Sequence, residues 1–485
     1  MRWLCLFGTF VSCLIVNCVA TAADFQDEYL RNWHQWRGPV ANGVAPFGDP
    51  PVEWSEETNI KWKKAIPGRG SSSPIVWKDR VFLLTAIETD RADESATLNE
   101  SEPPPPQPPE GQGPERREFE GRGPEGRGRE GRGPEVGRRG GRRGGRFRQP
   151  APTKFYQFVV LCLDRNTGEV LWERVANEAV PHESLHSTNT YASSSATTDG
   201  KYLYAFFGSF GVYCYDLEGE LKWSRDLGEM QTRNSFGEGA SPTIHDGTLV
   251  VNWDHEGPSF ITALDAATGE TKWKRDRDEV TTWNTPLVVE AAGRTQVIVN
   301  ATNRTRSYDL DTGETLWECG GQVTNPIPSP VAWENLVYCM SGHRGSALYA
   351  IPLDSVGDIT DTEGIAWHRD EGTPYVPSPL LYDDRLYFTK GRNAIFSCLN
   401  AETGEPIIDQ ERLTGVSSFY ASPVGAAGRI YLVGRGGTTL VLKQSDQLEV
   451  LATNVLDEPI DASPAIVDKE IFLRGEKHLY CIAAE

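Results

Sequence analysis

One short motif recurs through this chain, and its recurrence dictates an architecture. Residues 263–273 read Ala-Leu-Asp-Ala-Ala-Thr-Gly-Glu-Thr-Lys-Trp. A strand ends in Leu-Asp, a Thr-Gly turn follows, and the next strand carries Trp four residues after the Gly. Variants run from Leu163 to Trp172 around Gly168, from Tyr215 to Trp223 around Gly219, and from Tyr308 to Trp317 around Gly313. Leu399 to Ile408 keeps Asn400, Thr403 and Gly404 but places Ile408 where the others have Trp. Asp opens such a turn, Gly accepts the positive φ of a tight loop, and Trp supplies a large apolar body to bury.

A second marker keeps the same phase. Ser73-Pro74, Ser241-Pro242, Ser329-Pro330, Ser378-Pro379, Ser422-Pro423 and Ser463-Pro464 each open an apolar strand, with Ser195-Ala196 and Thr285-Pro286 as variants. From Ser195 onward the steps are 46, 44, 44, 49, 44 and 41 residues, whereas Ser73 to Ser195 is 122. A period near 44 residues, with about four short strands per unit, is the signature of a β-propeller. Eight markers predict an all-β fold of eight four-stranded antiparallel blades, in which Trp62, Trp172, Trp223, Trp273, Trp317 and Trp367 are structural. The final repeat, 462–483, holds only three strands (ASPAIV, EIFLR and HLYCIA), while 59–67 (NIKWKKAIP) reads as a lone last strand. The N-terminal strand is therefore predicted to complete the eighth blade and close the ring, leaving no open edge at the join.

Residues 1–22 read as a signal peptide: Arg2, an apolar run from Trp3 to Val16, and Ala20-Thr21-Ala22 at the cleavage site. Asn17 before Cys18 is a poor fit to a lipoprotein, so the mature chain is expected in the periplasm or outside the cell, soluble and monomeric. No other stretch is long enough to cross a membrane. Residues 23–57 form a lead-in containing WHQWRGPVANGVAP, 58–485 the propeller, and 91–152 an insertion in blade 1. Within the insertion, 101–150 carries 12 Arg against 8 Glu, a formal +4, and almost no apolar side chains, so it cannot fold alone. Such Arg/Gly tracts can bind RNA, but an exported chain with a net charge of −20 is not a general binder of nucleic acid. A solvated tether is the reading we adopt.

Six cysteines follow the leader. Cys162, Cys214, Cys398 and Cys481 share a repeat position that Ala263 and Ala350 occupy elsewhere, so they read as small core residues in separate blades. A Cys319–Cys339 disulfide is left open.

Up-and-down blades sort loops onto two faces. The turns of the Asp-Thr-Gly motif gather on one, together with the acidic run 354–363, whose spacing misses a calcium loop and reads as a solvated turn. The other face collects Arg304, His343, Arg344, Lys390, Arg392, Arg435 and Lys477 from the loops between second and third strands. Segments entering the inner strands add His186, Asn189, Tyr191, Arg233, Asn234, Glu238, Trp283, Asn284, Asn325, Tyr375, Tyr420 and Asp461, and Asp254, His255 and Glu256 form a further polar cluster. A polar and aromatic rim around a concave mouth is the default ligand site, and its cations suit a small anionic ligand or an acidic patch on a protein partner. The motif His182-Glu183-Ser184-Leu185-His186 matches the zinc-hydrolase pattern, which needs both imidazoles on one helical face. A strand follows too soon for that helix, and no metal site is assigned.

The repeat Leu-Asp-x-x-Thr-Gly-x-x-x-Trp, with the WHQWRGP lead-in, resembles the pyrroloquinoline-quinone (PQQ) type propeller repeat of quinoprotein alcohol dehydrogenases and of the assembly factor BamB. The resemblance spans about 30–483 outside the insertion. It implies either a non-catalytic, exported binding propeller of the BamB type or a PQQ- and calcium-dependent dehydrogenase. The dehydrogenases hold PQQ with adjacent cysteines, a Trp floor and calcium bound by carboxylates and an Asn. This chain has no adjacent cysteines and offers only Trp283, Asn284, Asp254 and Glu256 as rough candidates. The binding propeller is the first reading, the quinoprotein the second, and a metallo-hydrolase through His182 and His186 a remote third.

Overall fold

Every Ser/Thr marker leads into an innermost strand, and each such strand heads its own antiparallel sheet. The computed structural model describes residues 27–93, 151–390 and 393–484. The expected leader, the bulk of the insertion and Arg392 lie outside the described residues. Among these residues there are eight sheets, seven with four strands and one with five. Blade 1 is Ile75–Trp77, Arg80–Ala92, Lys154–Asp164 and Val170–Ala179; blades 2 to 7 follow in chain order. Blade 8 takes Ala465–Val467, Glu470–Arg474 and His478–Ala483 from the C-terminus and Ile60–Ala65 as its outer strand. That strand pairs Lys63 with Tyr480 and Ile60 with Ile482, so the ring closes as the sequence predicted.

The recurrent Trp locks each blade to the next. The Trp273 indole N–H donates to the Leu310 carbonyl at 2.7 Å, and its ring lies against Gly313 in the following blade. Trp62, Trp172, Trp223 and Trp367 repeat this with Arg165, Leu217, Ala266 and Ala401 at 2.8, 2.9, 2.9 and 3.1 Å. The turn Gly is needed twice over. Gly269 has φ 71°, and a Cβ there would come within 2.6 Å of the Trp223 ring. Across the ladder a small residue faces each indole: Cys162 opposite Trp172, Cys214 opposite Trp223, Ala263 opposite Trp273 and Cys481 opposite Trp62. All six cysteines are buried free thiols, Cys319 and Cys339 among them.

Blade 4 departs from the pattern, because blade 5 has no Thr-Gly turn to receive its Trp. Trp317 is fully buried and its indole N–H bonds Gln296 Oε1 at 3.1 Å instead. The acidic run does more than fill a turn. Gly357–Asp358 pairs in parallel with Trp317–Glu318 as a fifth strand, and Asp358 holds Arg304 at 2.7 Å.

The N-terminal lead-in is a plug. It bonds the inner strands of blade 1 (Trp33 N to Val76 O, 3.0 Å), blade 2 (Thr198 N to His34 O, 2.9 Å), blade 6 (Leu381 N to Asn42 O, 3.1 Å) and blade 7 (Ala45 N to Gly425 O, 2.9 Å), and the turn after the inner strand of blade 8 (Asp49 N to Asp468 O, 2.6 Å). These bonds fall past the Ser/Thr markers along each inner strand, so the plug closes one end of the axial channel. A funnel remains at the other.

Candidate functional site

The funnel begins at a ring of hydroxyls. Each marker's backbone N–H donates to the side-chain oxygen of the marker in the next blade. The sequence runs Ser73 to Ser195, Ser195 to Ser241, Ser241 to Thr285, Thr285 to Ser329, Ser329 to Ser378, Ser378 to Ser422 and Ser422 to Ser463, at 2.8 to 3.1 Å. Ser463 N then donates to Ser73 Oγ at 3.1 Å and closes the circle. The marker's chemistry follows from this. An inner strand's first N–H lies outside its own ladder and needs an acceptor, a hydroxyl supplies one, and the Pro that follows has no N–H to satisfy. Six of the eight hydroxyl residues line the funnel.

Above the ring the funnel is a cavity of about 620 Å³, within the range that takes a drug-sized molecule. Trp36 of the plug contributes to its lining, and its walls come from the segments that enter the inner strands. Of the residues expected on this face, His186, Asn189, Arg233, Asn234, Trp283, Asn325, His343, Arg344, Tyr375, Tyr420 and Asp461 line it. The other expected residues lie elsewhere. Asp254 and Arg277 form a side-chain pair with no exposure at 2.7 Å, and Thr282 Oγ1 also donates to Asp254 at 2.8 Å. His255 Nδ1 accepts from Gln231 N at 2.9 Å, and Glu256 accepts from Thr281 Oγ1 at 2.9 Å; both brace a loop. Asn284 is fully buried behind the ring and donates to the Asn300 carbonyl. Arg304 faces Glu318 and Asp358 at the outer edge of blade 4. Arg435 stands behind the wall, with both Asp461 oxygens at 2.6 and 2.9 Å and its guanidinium 3.9 Å from the Tyr420 ring centre.

Tyr191 and Glu238 line a separate cavity of about 20 Å³, shared with His182 and Glu183. Glu238 accepts from Ser209 N at 2.8 Å and Ser209 Oγ at 2.5 Å, yet burial pushes its carboxyl up to about 7. The His182–His186 motif is irregular chain, with no helix. His182 Nε2 bonds Met230 O at 2.7 Å, Glu183 accepts from Thr232, and His186 Nδ1 meets Thr188 Oγ1 at 2.8 Å. Among the described residues, the cluster with three potential metal donors in reach of one another is His245, Asp246 and Glu290, away from this motif.

The electrostatics of the funnel are set by cations without counter-charges. Arg233 and Arg344 line it, and neither has a carboxylate partner among the described residues. Arg37 of the plug is buried with only carbonyl partners, Pro379 O at 2.5 Å, Pro423 O at 2.7 Å and Asn42 O at 3.4 Å, while its Nε has none. Arg474 is buried on the other side of the ring against Ser72 and Leu84 oxygens. Desolvation lowers both guanidinium pKa values to about 9, so both remain cationic at neutral pH. The one carboxylate on the lining among the described residues, Asp461, is neutralised by Arg435.

Calcium-bound PQQ does not fit this donor set. A calcium ion needs several free oxygen ligands, but both Asp461 oxygens are taken by Arg435. The Asn189 amide is spent as well. Its Nδ2 donates to Phe236 O and Glu238 O, and its Oδ1 accepts from Thr190 N and Ser193 Oγ. The rough candidates Asp254, Glu256 and Asn284 do not reach the funnel.

A closed ring of eight antiparallel sheets with a plugged channel and a polar, aromatic mouth defines a class: the eight-bladed β-propellers. Within that class the chain belongs to the PQQ-repeat family described as outer membrane protein assembly factor BamB, whose family model matches residues 157–410. None of the curated proteins matches the chain by sequence. Among solved structures, the quinohemoprotein alcohol dehydrogenase of Comamonas testosteroni is similar at 9% identity, with 95% of this chain and 82% of that one covered and a TM-score of 0.57. The quinohemoprotein alcohol dehydrogenase ADHIIG of Pseudomonas putida HK5 is similar at 10% identity, covering 95% and 81%, with a TM-score of 0.54. BamB of Moraxella catarrhalis matches at 12% identity over 69% of this chain and 90% of that one, with a TM-score of 0.46. At these identities the structural likeness speaks to the fold alone. No helix among the described residues is long and apolar enough to cross a membrane.

Proposed function

We propose that this chain is an exported, non-catalytic binding propeller that holds an anionic ligand, or an acidic group of a partner protein, in its funnel. The observation that carries the reading is the charge of the funnel. Two guanidinium groups, Arg233 and Arg344, line it without a carboxylate partner among the described residues, and Arg37 and Arg474 lie buried beside the hydroxyl ring against carbonyl and hydroxyl oxygens, in a chain of net charge −20. Arg suits this task because its planar fork donates two parallel hydrogen bonds to carboxylate or phosphate. The apolar run near the N-terminus, read as a leader, supports export, and the lack of a free calcium-ligand set on the funnel lining among the described residues supports binding over redox chemistry. The test is the double variant Arg233→Ala, Arg344→Ala, titrated calorimetrically with citrate as a probe polyanion at low and high salt. Wild type should bind more weakly as salt rises, since exposed charges are screened beyond about 8 Å at physiological ionic strength. The variant should lose at least tenfold in affinity. Equal affinity of the two proteins, or no salt dependence, refutes the reading.

A further inference from the structure

Three features constrain the ligand beyond its charge. The first is the hydroxyl ring. Each of the eight oxygens has accepted one backbone N–H, and none donates to a protein acceptor among the described residues. Their O–H groups are therefore available, and those on the funnel lining converge on its floor. The second is Asn325, buried to 4% exposure at the wall, whose carbonyl oxygen has no partner. A buried acceptor of this kind calls for a donor, which a ligand in the funnel would supply. The third is aromatic surface: Trp36, Trp283, Tyr375 and Tyr420 all face the cavity.

Few ligand classes satisfy all three. A bare oxyanion uses the arginines and leaves the rings unused. A flat aromatic acid covers the rings but has no O–H to give Asn325 and few acceptors for the ring hydroxyls. A sugar ring carries hydroxyls around its whole perimeter, each able to donate and accept, and apolar C–H faces that pack on indole and phenol. We infer that the funnel binds an acidic sugar, the end of a saccharide bearing a carboxylate or a sulfate ester. Its acid group lies toward Arg233 and Arg344, its hydroxyls meet the serine ring and Asn325, and its C–H face packs on the aromatic wall. This rests on the funnel being the binding site.

The experiment uses the full-length mature protein and calorimetric titration with trigalacturonate, D-glucuronate, glucose 6-sulfate, glucose and, as a polyanion without a hydroxyl, tricarballylate. Acidic sugars should bind at least tenfold more tightly than glucose, and the stronger of the uronate and sulfate arms identifies the acid. Asn325→Gly tolerates the local backbone, where φ is 60°, and a melting curve checks its fold. It should weaken uronate or sugar-sulfate binding about tenfold and tricarballylate far less, because tricarballylate has the carboxylates for the arginines but no O–H to give Asn325. Tricarballylate binding as tight as the sugars, with no effect of Asn325→Gly, overturns the sugar inference and leaves the anion-binding funnel standing. Loss of every arginine-dependent signal overturns both.

Discussion

Glu238 should make the stability of this protein fall as pH rises through the neutral range, and Glu238→Gln should abolish that fall. The carboxyl is fully enclosed beside Ser209, with His182 and Glu183 as its charged neighbours, and its pKa rises from 4.5 to about 7, chiefly through desolvation. In the unfolded chain the same group ionises near the ordinary glutamate value. Between those two values the folded state binds the proton and the unfolded state does not, so stability is highest below about pH 4.5 and declines until the folded group also ionises. A rise of about 2.5 pKa units at 1.36 kcal/mol each gives about 3 kcal/mol of destabilisation from this group above pH 7. Gln reproduces the protonated acid: its carbonyl accepts from Ser209 N, and its amide faces the Ser209 hydroxyl. Glu238→Gln should match wild type near pH 4.5 and exceed it by about 3 kcal/mol at pH 8, read from urea midpoints across that range. Titrating groups remote from Glu238, including the buried His34, are common to both proteins and cancel. The reasoning fails if the variant is less stable than wild type at pH 8, or if the two pH profiles run parallel. Glu238 sits in the segment that carries Arg233 and Asn234 into the funnel, so its ionisation should also loosen that wall.

Three further outcomes follow from the architecture. Trp273→Ala removes an indole that bonds Leu310 O and covers Gly313, and should cost about 3–5 kcal/mol; an unchanged denaturant midpoint would mean that the interblade contact contributes nothing. Ser463→Ala leaves the buried Ser422 N–H without its acceptor and should cost about 1–3 kcal/mol, whereas Ser463→Thr, which keeps the hydroxyl, should restore most of it; equal loss in both points to packing. Excising 95–150 should leave the melting temperature nearly unchanged, because Asp93 N already donates to Thr153 O at 2.8 Å and the cut ends are adjacent; loss of cooperative unfolding would assign the segment a structural role.

The candidate site was only partly legible in the sequence. The periodic markers placed the loops of one face together, which brought His186, Arg233, Trp283, Arg344, Tyr375 and Tyr420 within view. Strand order sets a face but not a depth, and Asp254, His255, Glu256 and Asn284 sit on the expected loops yet turn into the protein. Asp254 is consumed by Arg277, a pairing between the ends of the second and fourth strands of blade 3 that no spacing rule announces. Trp36 and Arg37 were visible only as part of a Trp-, Gly- and Pro-rich lead-in. The signal that could have found them is an arginine in an otherwise apolar, turn-rich segment that has no strand period of its own.

The sequence by itself determined the blade. Strand alternation, the Asp-Thr-Gly turn and the Trp after it act within a few residues of each other, so their physics is local and reads directly from spacing. It also determined closure, because a three-stranded C-terminal repeat and a lone N-terminal strand have one economical solution. The tertiary structure decided what meets at the axis. Eight hydroxyls up to 390 residues apart become hydrogen-bond neighbours only when the ring closes, and that circle gives the Ser/Thr markers their chemical role. The plug and its Arg37, held by carbonyl oxygens alone, likewise acquire their position from five blades at once. A charge at the centre of a ring has neighbours fixed by the sum of all the interblade angles, and that sum is a property of the whole chain.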